Sequence, residues 1–154
     1  MLVAACGGGA ANRAAVDSVR DGDTILLADG IRVRLVQVDA PELGVECWGD
    51  EAAAELARIV RSGAELRLEA DPRLDDVDRH GRLLRYAHAD GRNVNVELVR
   101  LGAAAPYFYR GERGRYADEL LAAARAAHAG RRGLWGACPR AGLHPARAID
   151  TGRP

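Results

Sequence analysis

Thr24-Ile25-Leu26-Leu27-Ala28-Asp29-Gly30-Ile31-Arg32-Val33-Arg34-Leu35-Val36-Gln37-Val38-Asp39 is the stretch whose reading decides the fold. Asp29-Gly30 lies between two apolar-rich runs, and such a pair is a strong hairpin signal because tight turns between strands demand positive φ. Strands are therefore predicted over 24–28 and 31–38. Side chains alternate along a strand, so Ile31, Val33 and Leu35 share one face while Arg32 and Arg34 point to the other. Counting away from the turn, Asp23 and Asp39 both fall at the open end of the hairpin, where their carboxylates are predicted to converge.

Outward from this hairpin the pattern stays legible. Residues 16–20 read as a strand joined to 24–28 through Asp21-Gly22. A helix is predicted over 50–61, where Ala52, Leu56, Ile59 and Val60 recur at helical spacing and Ser62-Gly63 supplies the stop. Ala64 to Glu69 alternates as a half-buried strand, Pro72 to Arg79 is a polar loop, and 83–89 is a further strand closed by an Asp90-Gly91 turn. Val94 to Leu101 reads as a short helix ended by Gly102, and 115–129 as an Ala-rich helix with Leu120, Leu121, Ala124 and Ala127 inward. Five strands with a helix after the third, then two more helices, predict an α+β, mainly β, class. The architecture expected is a five-stranded OB-fold barrel with three α-helices. A β-sandwich or an open sheet would read similarly from the strand pattern alone.

Three segments are expected along the chain. Residues 1–15 are an Ala/Gly-rich leader and tether, 16–138 form the folded domain, and the Pro/Gly/Arg-rich residues 139–154 are a disordered tail. Arg and acidic residues number 22 each, so there is no net field to draw in a polyanion. The charge is uneven: residues 16–102 carry 12 Arg against 18 acids, whereas 103–154 carry 9 Arg against 4. Every basic side chain is Arg, and a guanidinium grips phosphate bidentately where an ammonium cannot; GC-rich codon usage would also account for the missing Lys.

Cys6, Cys47 and Cys138 form no CxxC pair of the metal-binding kind. Val3-Ala4-Ala5-Cys6-Gly7 resembles a bacterial lipobox, which makes Cys6 the expected lipidation site and implies an anchor to the membrane by lipid. The residues before it are too few for a signal peptide, so a chance Cys in an Ala/Gly leader is the competing reading. With Cys6 set aside, Cys47 and Cys138 are an even pair, and in an oxidising compartment they are expected to form a disulfide; the alternative is two reduced, partly buried thiols. Trp48 and Trp135 lie close to them in sequence, so the four residues are expected to form one small cluster. The location implied is extracellular or the cell envelope. His88, His128 and His144 are expected at the surface.

Three short segments carry the chemistry: Asp21-Gly22-Asp23-Thr24, Arg34 through Asp39-Ala40-Pro41-Glu42, and Asp78-Arg79-His80-Gly81-Arg82. Carboxylates suit a hard cation such as Ca²⁺, and two arginines suit a phosphate held between them. Each segment taken alone is an ordinary charged turn. Their order and predicted convergence point to metal-assisted phosphodiester chemistry.

Together with Gly49-Asp50-Glu51-Ala52, Asn95, Leu98-Val99-Arg100-Leu101-Gly102 and Gly133-Leu134-Trp135, these motifs resemble the staphylococcal nuclease (thermonuclease) family from about Val16 to Cys138. The resemblance implies Ca²⁺-dependent hydrolysis of DNA and RNA to 3′-phosphorylated products by a monomer. Asp23, Asp39 and the Ala40 carbonyl match the family's calcium ligands. Glu42 matches its proposed general base, and Arg34 and Arg82 match its phosphate clamp. Tyr107 and Tyr109 resemble the pair that lines the nucleotide pocket, and His80 stands where a phosphate-contacting Tyr is common. Ala40 replaces a frequent Thr, which a backbone ligand tolerates. The alternative is a catalytically inactive module of the same family that binds nucleic acid or protein.

Overall fold

The computed structural model describes residues 12–154; the expected lipidation site Cys6 lies outside them. Strand β1 (Arg13–Val19) is irregular between Val16 and Ser18, and this lets one strand serve two neighbours. Its first half pairs with β5 (Glu65–Glu69) and its second half with β2 (Thr24–Leu27), both antiparallel. The hairpin predicted at Asp29-Gly30 joins β2 to β3 (Arg32–Leu35), with Thr24 opposite Arg34 and Ile25 opposite Val33. Next to β5 runs β6 (Leu83–Ala89), which also pairs parallel with β3 and so closes five strands into a barrel. This is the OB architecture.

Closure removes every sheet edge from the barrel and leaves an apolar interior of Ile25, Val33, Leu35, Leu66 and Ala87, all fully buried. The alternation read from 31–38 holds for Val33 and Leu35, but Ile31 is 43% exposed. It sits one residue past the turn, before the strand begins.

The run from 31 to 38 is not one strand. Gln37 adopts a left-handed backbone conformation (φ 64°) and breaks it. The chain leaves the barrel as β4 (Val38–Asp39), which pairs with β8 (Ala105–Pro106) instead. The side chain of Gln37 is buried and engaged at both ends: its amide donates to the Glu112 carbonyl and its oxygen accepts from the Gly114 N–H.

Helix α1 (Gly49–Ile59) buries Ala52 and Leu56 on the barrel side and carries Asp50 and Glu51 in its first turn, the favourable end for negative charge. A two-residue strand β7 (Arg92–Asn93) pairs with β6 before α2 (Val94–Arg100), and the Asn93 side chain caps that helix at Val96 N–H. Asn95, fully buried, donates to the carbonyls of Val36 and Arg85 and accepts from Ala87 N–H. One side chain thus ties α2 to the point where β3 ends. Helix α3 (Ala117–Ala129) packs against α2 through Leu120, Ala124 and their neighbours, and a single turn, α4 (Leu134–Ala137), follows. No helix among the described residues is long and apolar enough to cross a membrane.

Two expectations change. His88 is buried, not at the surface: its Nε2 lies 2.8 Å from Glu69 Oε2, which also accepts from the Tyr116 hydroxyl. Burial of a ring with a polar tip requires such a partner. Residues 139–154 are also not a loose tail. The Pro145 carbonyl accepts from Phe108 N–H, the Gly152 carbonyl accepts from Cys47 N–H at 2.7 Å, and Thr151 is 2% exposed. Composition weighs a segment's own ability to form a core; this one borrows the core of the domain. The Cys47–Cys138 disulfide is formed, and Trp48 and Trp135 pack in the cluster around it.

Candidate active site

The turn Asp21-Gly22 and the segment Asp39-Ala40-Pro41-Glu42 meet at one end of the barrel. Gly22 is the reason they can. A Cβ there would lie 2.6 Å from Ala40 Cβ and 2.9 Å from Ala52 Cβ, closer than carbon atoms pack. Gly49 plays the same part for Glu42, whose carbonyl approaches so closely that no side chain fits between them. Asp23 N–H donates to Asp21 Oδ1, and the Asp23 carbonyl accepts from Leu35 N–H, so the acidic turn is locked to the end of β3.

Arg34 organises the centre. Its Nη2 lies 2.7 Å from Asp39 Oδ1 and 3.3 Å from Asp23 Oδ2, so the predicted convergence of the two carboxylates occurs on one guanidinium nitrogen. Its Nη1 donates to the carbonyls of Leu35 and Val38. Asp23 Oδ2 also accepts from Ala40 N–H and its Oδ1 accepts from the Thr24 hydroxyl, while Asp39 Oδ2 accepts from Ile149 N–H.

Arg82 enters from the strand opposite. Its Nε lies 2.7 Å from Asp78 Oδ2, and its Nη1 donates to Thr24 Oγ1 at 3.3 Å. The turn before it is built on the same aspartate, whose Oδ1 accepts from the backbone N–H of both His80 and Arg82. Arg34 and Arg82 line two adjoining cavities. One, of about 620 Å³, holds Asp21, Asp23, Asp39 and Glu42; the other, of about 470 Å³, holds His80, Tyr107 and Tyr109. The tyrosine rings stand edge to face at 6.3 Å, and Arg110 lies over Tyr109 at 5.0 Å.

The charges are poised. Burial and repulsion from Asp23 push the Asp39 carboxyl up to about 6, against the pull of Arg34. Burial and the same neighbour raise Asp21. Burial disfavours the Arg34 cation, but Asp23 and Asp39 outweigh it and hold the guanidinium above its ordinary range. Burial would raise Asp78 as well, yet the hydrogen bonds from Arg82 and His80 dominate and keep it low.

All nine sequence-predicted residues, Asp23, Arg34, Asp39, Ala40, Glu42, His80, Arg82, Tyr107 and Tyr109, line these two cavities. Three contributors escaped the sequence reading. Thr24 bridges Asp23 to Arg82, Gln37 fixes the aromatic loop, and Ile149 reaches Asp39 from the C-terminal segment. Thr24 could have been found as the hydroxyl beside a predicted site carboxylate; Ile149 acts through its backbone and leaves no signal in residue type.

Among the described residues, no group of three or more His, Cys, Asp or Glu side chains closes around a point that would hold a metal ion. The donor set nonetheless fits a hard cation. Asp23 and Asp39 converge beside one cationic nitrogen, and paired carboxylate oxygens suit a hard cation. The remaining ligands would be a backbone carbonyl and waters.

The family described as "Staphylococcal nuclease homologue" matches residues 32–137. Endonuclease YncB of Bacillus subtilis (strain 168) is 31% identical over 128 residues, which cover 78% of this chain and 60% of that protein. The SPbeta prophage-derived endonuclease YokF of the same strain is 30% identical over 128 residues, 78% of this chain and 43% of that protein. Protein ParB of Escherichia coli is 36% identical over 148 residues, 88% of this chain and 78% of that protein. The chain thus spans about half the length of the two Bacillus relatives. A matched span of this extent, on an OB barrel that gathers the expected residues at one end, shows that the chain belongs to the staphylococcal nuclease homologue family.

Proposed function

We propose that the protein is a Ca²⁺-dependent phosphodiesterase that hydrolyses single-stranded or fraying DNA, and RNA, to 3′-phosphorylated products. One observation carries the reading: Asp23 and Asp39 converge on Arg34 in a cavity that opens, past Arg34 and Arg82, into a second one edged by Tyr107 and Tyr109. A strand whose base stacks against the tyrosines would lay its phosphate between the arginines, and stacking of this kind tolerates any sequence.

Asp23 and Asp39, with the Ala40 carbonyl, would hold the cation, which supplies Lewis-acid polarisation of the phosphate. Arg34, held by Asp39 and Asp23 where the two cavities adjoin, would meet an equatorial phosphate oxygen. Arg82, aimed by Asp78 and Thr24, supplies a second positive charge against the negative charge that develops on those oxygens. Glu42, exposed on the rim of the same cavity, orients and deprotonates the attacking water.

A second reading, a family member that binds without cleaving, draws on the neutralisation of both carboxylates by Arg34. Single-stranded DNA incubated with the full chain, with Ca²⁺ or with a chelator, separates the two. Calcium-dependent cleavage that falls by orders of magnitude in Glu42→Ala and Arg82→Ala supports the enzyme; binding without cleavage supports the module. The formed disulfide supports action outside the reducing cytosol, in secreted or envelope-anchored form. Mass spectrometry of the N-terminus for an acylated Cys6 tests the anchor.

A further inference from the structure

The segment from Pro145 to Gly152 lies beyond the span that matches the family, yet it forms part of the catalytic cavity. Ala148 and Ile149 line the same wall as Asp39 and Glu46. The segment is fixed at both ends of this wall. Upstream, the Pro145 carbonyl accepts from Phe108 N–H at 2.7 Å. Downstream, Cys47 holds it by two links: its N–H donates to the Gly152 carbonyl and its carbonyl accepts from the Thr151 hydroxyl at 2.7 Å. Between these anchors Ile149 N–H donates to Asp39 Oδ2 at 2.9 Å.

We propose that this segment is a constitutive strap in which Ile149 is a positioning residue for the site's cation, acting through Asp39. The inference rests on the nuclease reading above. An ionised carboxylate offers about four lone-pair directions, so one N–H on Oδ2 leaves room for a cation on the same group. Arg34 already fixes Oδ1, and Ile149 fixes Oδ2; together they stop rotation of the carboxylate about its Cβ–Cγ bond. A pre-set ligand spares the ordering cost that a free side chain would meet on binding. The burial of Thr151 and the paired links at Cys47 make the strap a fixed wall. A displaceable plug would be held by fewer bonds.

The donor is a backbone N–H, so proline is the specific probe: Ile149→Pro deletes it, whereas Ile149→Ala keeps it. The full chain and both variants are titrated with Ca²⁺ by calorimetry without nucleic acid, then assayed on single-stranded DNA across Ca²⁺ concentrations, with thermal melts to verify folding. The ordering cost returned to the freed carboxylate predicts Ca²⁺ binding about 2- to 10-fold weaker in Ile149→Pro. Activity should return towards wild type at high Ca²⁺, KM for DNA should be unmoved, and Ile149→Ala should lose far less Ca²⁺ affinity than Ile149→Pro. Thr151→Val, which frees the downstream anchor but leaves residue 149 intact, should shift Ca²⁺ binding in the same direction; it decides the matter if Ile149→Pro fails to fold. Unchanged or tighter Ca²⁺ binding in folded Ile149→Pro or, where that variant does not fold, in Thr151→Val, with a wild type that binds and cleaves, overturns the strap alone. A wild type that neither binds Ca²⁺ nor cleaves overturns the nuclease reading and the strap together.

Discussion

Arg82 and Asp23 are connected through one hydroxyl: Thr24 Oγ1 accepts from Arg82 Nη1 and donates to Asp23 Oδ1. The arginine and the carboxylate therefore share a hinge that belongs to neither. Thr24→Val keeps the shape of this buried residue and removes both bonds, and hydrogen bonds to charged groups contribute roughly 1.5–3 kcal/mol each. The expected outcome is a fall in kcat of about 10- to 100-fold together with a lower melting temperature, and recovery of both in Thr24→Ser. Steady-state kinetics on single-stranded DNA, with a thermal melt alongside, checks it.

Gly22→Ala forces a methyl against Ala40 and Ala52. Overpacking of this kind costs about 1–3 kcal/mol. Because the contact lies between the acidic turn and the segment bearing Asp39, chemical denaturation should show the stability loss and calorimetry should show weakened Ca²⁺ binding. A fully stable variant would mean that the turn can move away from α1 at no cost.

The disulfide spans 91 residues, and loops of that length restrict the unfolded chain substantially. Cys47→Ser with Cys138→Ser, or treatment with a dithiol, should lower stability by about 2–5 kcal/mol. Denaturant midpoints measured with and without reductant report this directly.

Two titrations run in opposite senses. Burial would raise Glu69, but the hydrogen bonds from Tyr116 and His88 and the charge of Arg115 hold it below its ordinary 4.5. A depressed carboxylate contributes stability that is present above the unfolded value and is lost as pH falls through the folded one. Glu69→Gln should therefore remove part of the acid sensitivity below about pH 4.5, seen as a flatter melting temperature against pH.

Asp39 behaves the other way. With its carboxyl raised to about 6, its share of stability is present at low pH and is lost as pH rises through about 6. Ca²⁺ must also compete with the proton on this group. The rise in melting temperature on adding Ca²⁺ should accordingly be small at pH 5 and large at pH 8. An equal rise at both would show that Asp39 does not meet the cation.

What was legible in the sequence follows from how local its cause is. Asp29-Gly30 marked the hairpin because Gly30 supplies the positive φ that the turn needs; the loop takes in Ala28 as well, closed by the bond from Leu27 N–H to the Ile31 carbonyl, and this register places Thr24 opposite Arg34. The break at Gln37 was not legible: Gln has no preference for a left-handed backbone, and the residue holds one because Glu112 and Gly114, far along the chain, occupy its amide. The fate of 139–154 was hidden for the same reason, since its Pro, Gly and Arg content says nothing of the anchors that Cys47 and Phe108 offer. His88 was misjudged because its partner Glu69 lies on the neighbouring strand. The carboxylates and arginines that line the two cavities were legible as a group because they sit in short contiguous motifs.

The diversion of the chain at Gln37 has a consequence of scale. By pairing Val38–Asp39 with Ala105–Pro106, it places Asp39 and Tyr107 on the two arms of a single backbone ladder, tightened by the bond from Tyr107 N–H to the Gln37 carbonyl. The span from stacking ring to acidic ligand is then set by main-chain geometry and not by side-chain reach. On the nuclease reading, a strand gripped by its base on Tyr107 would present the same linkage to the arginines each time.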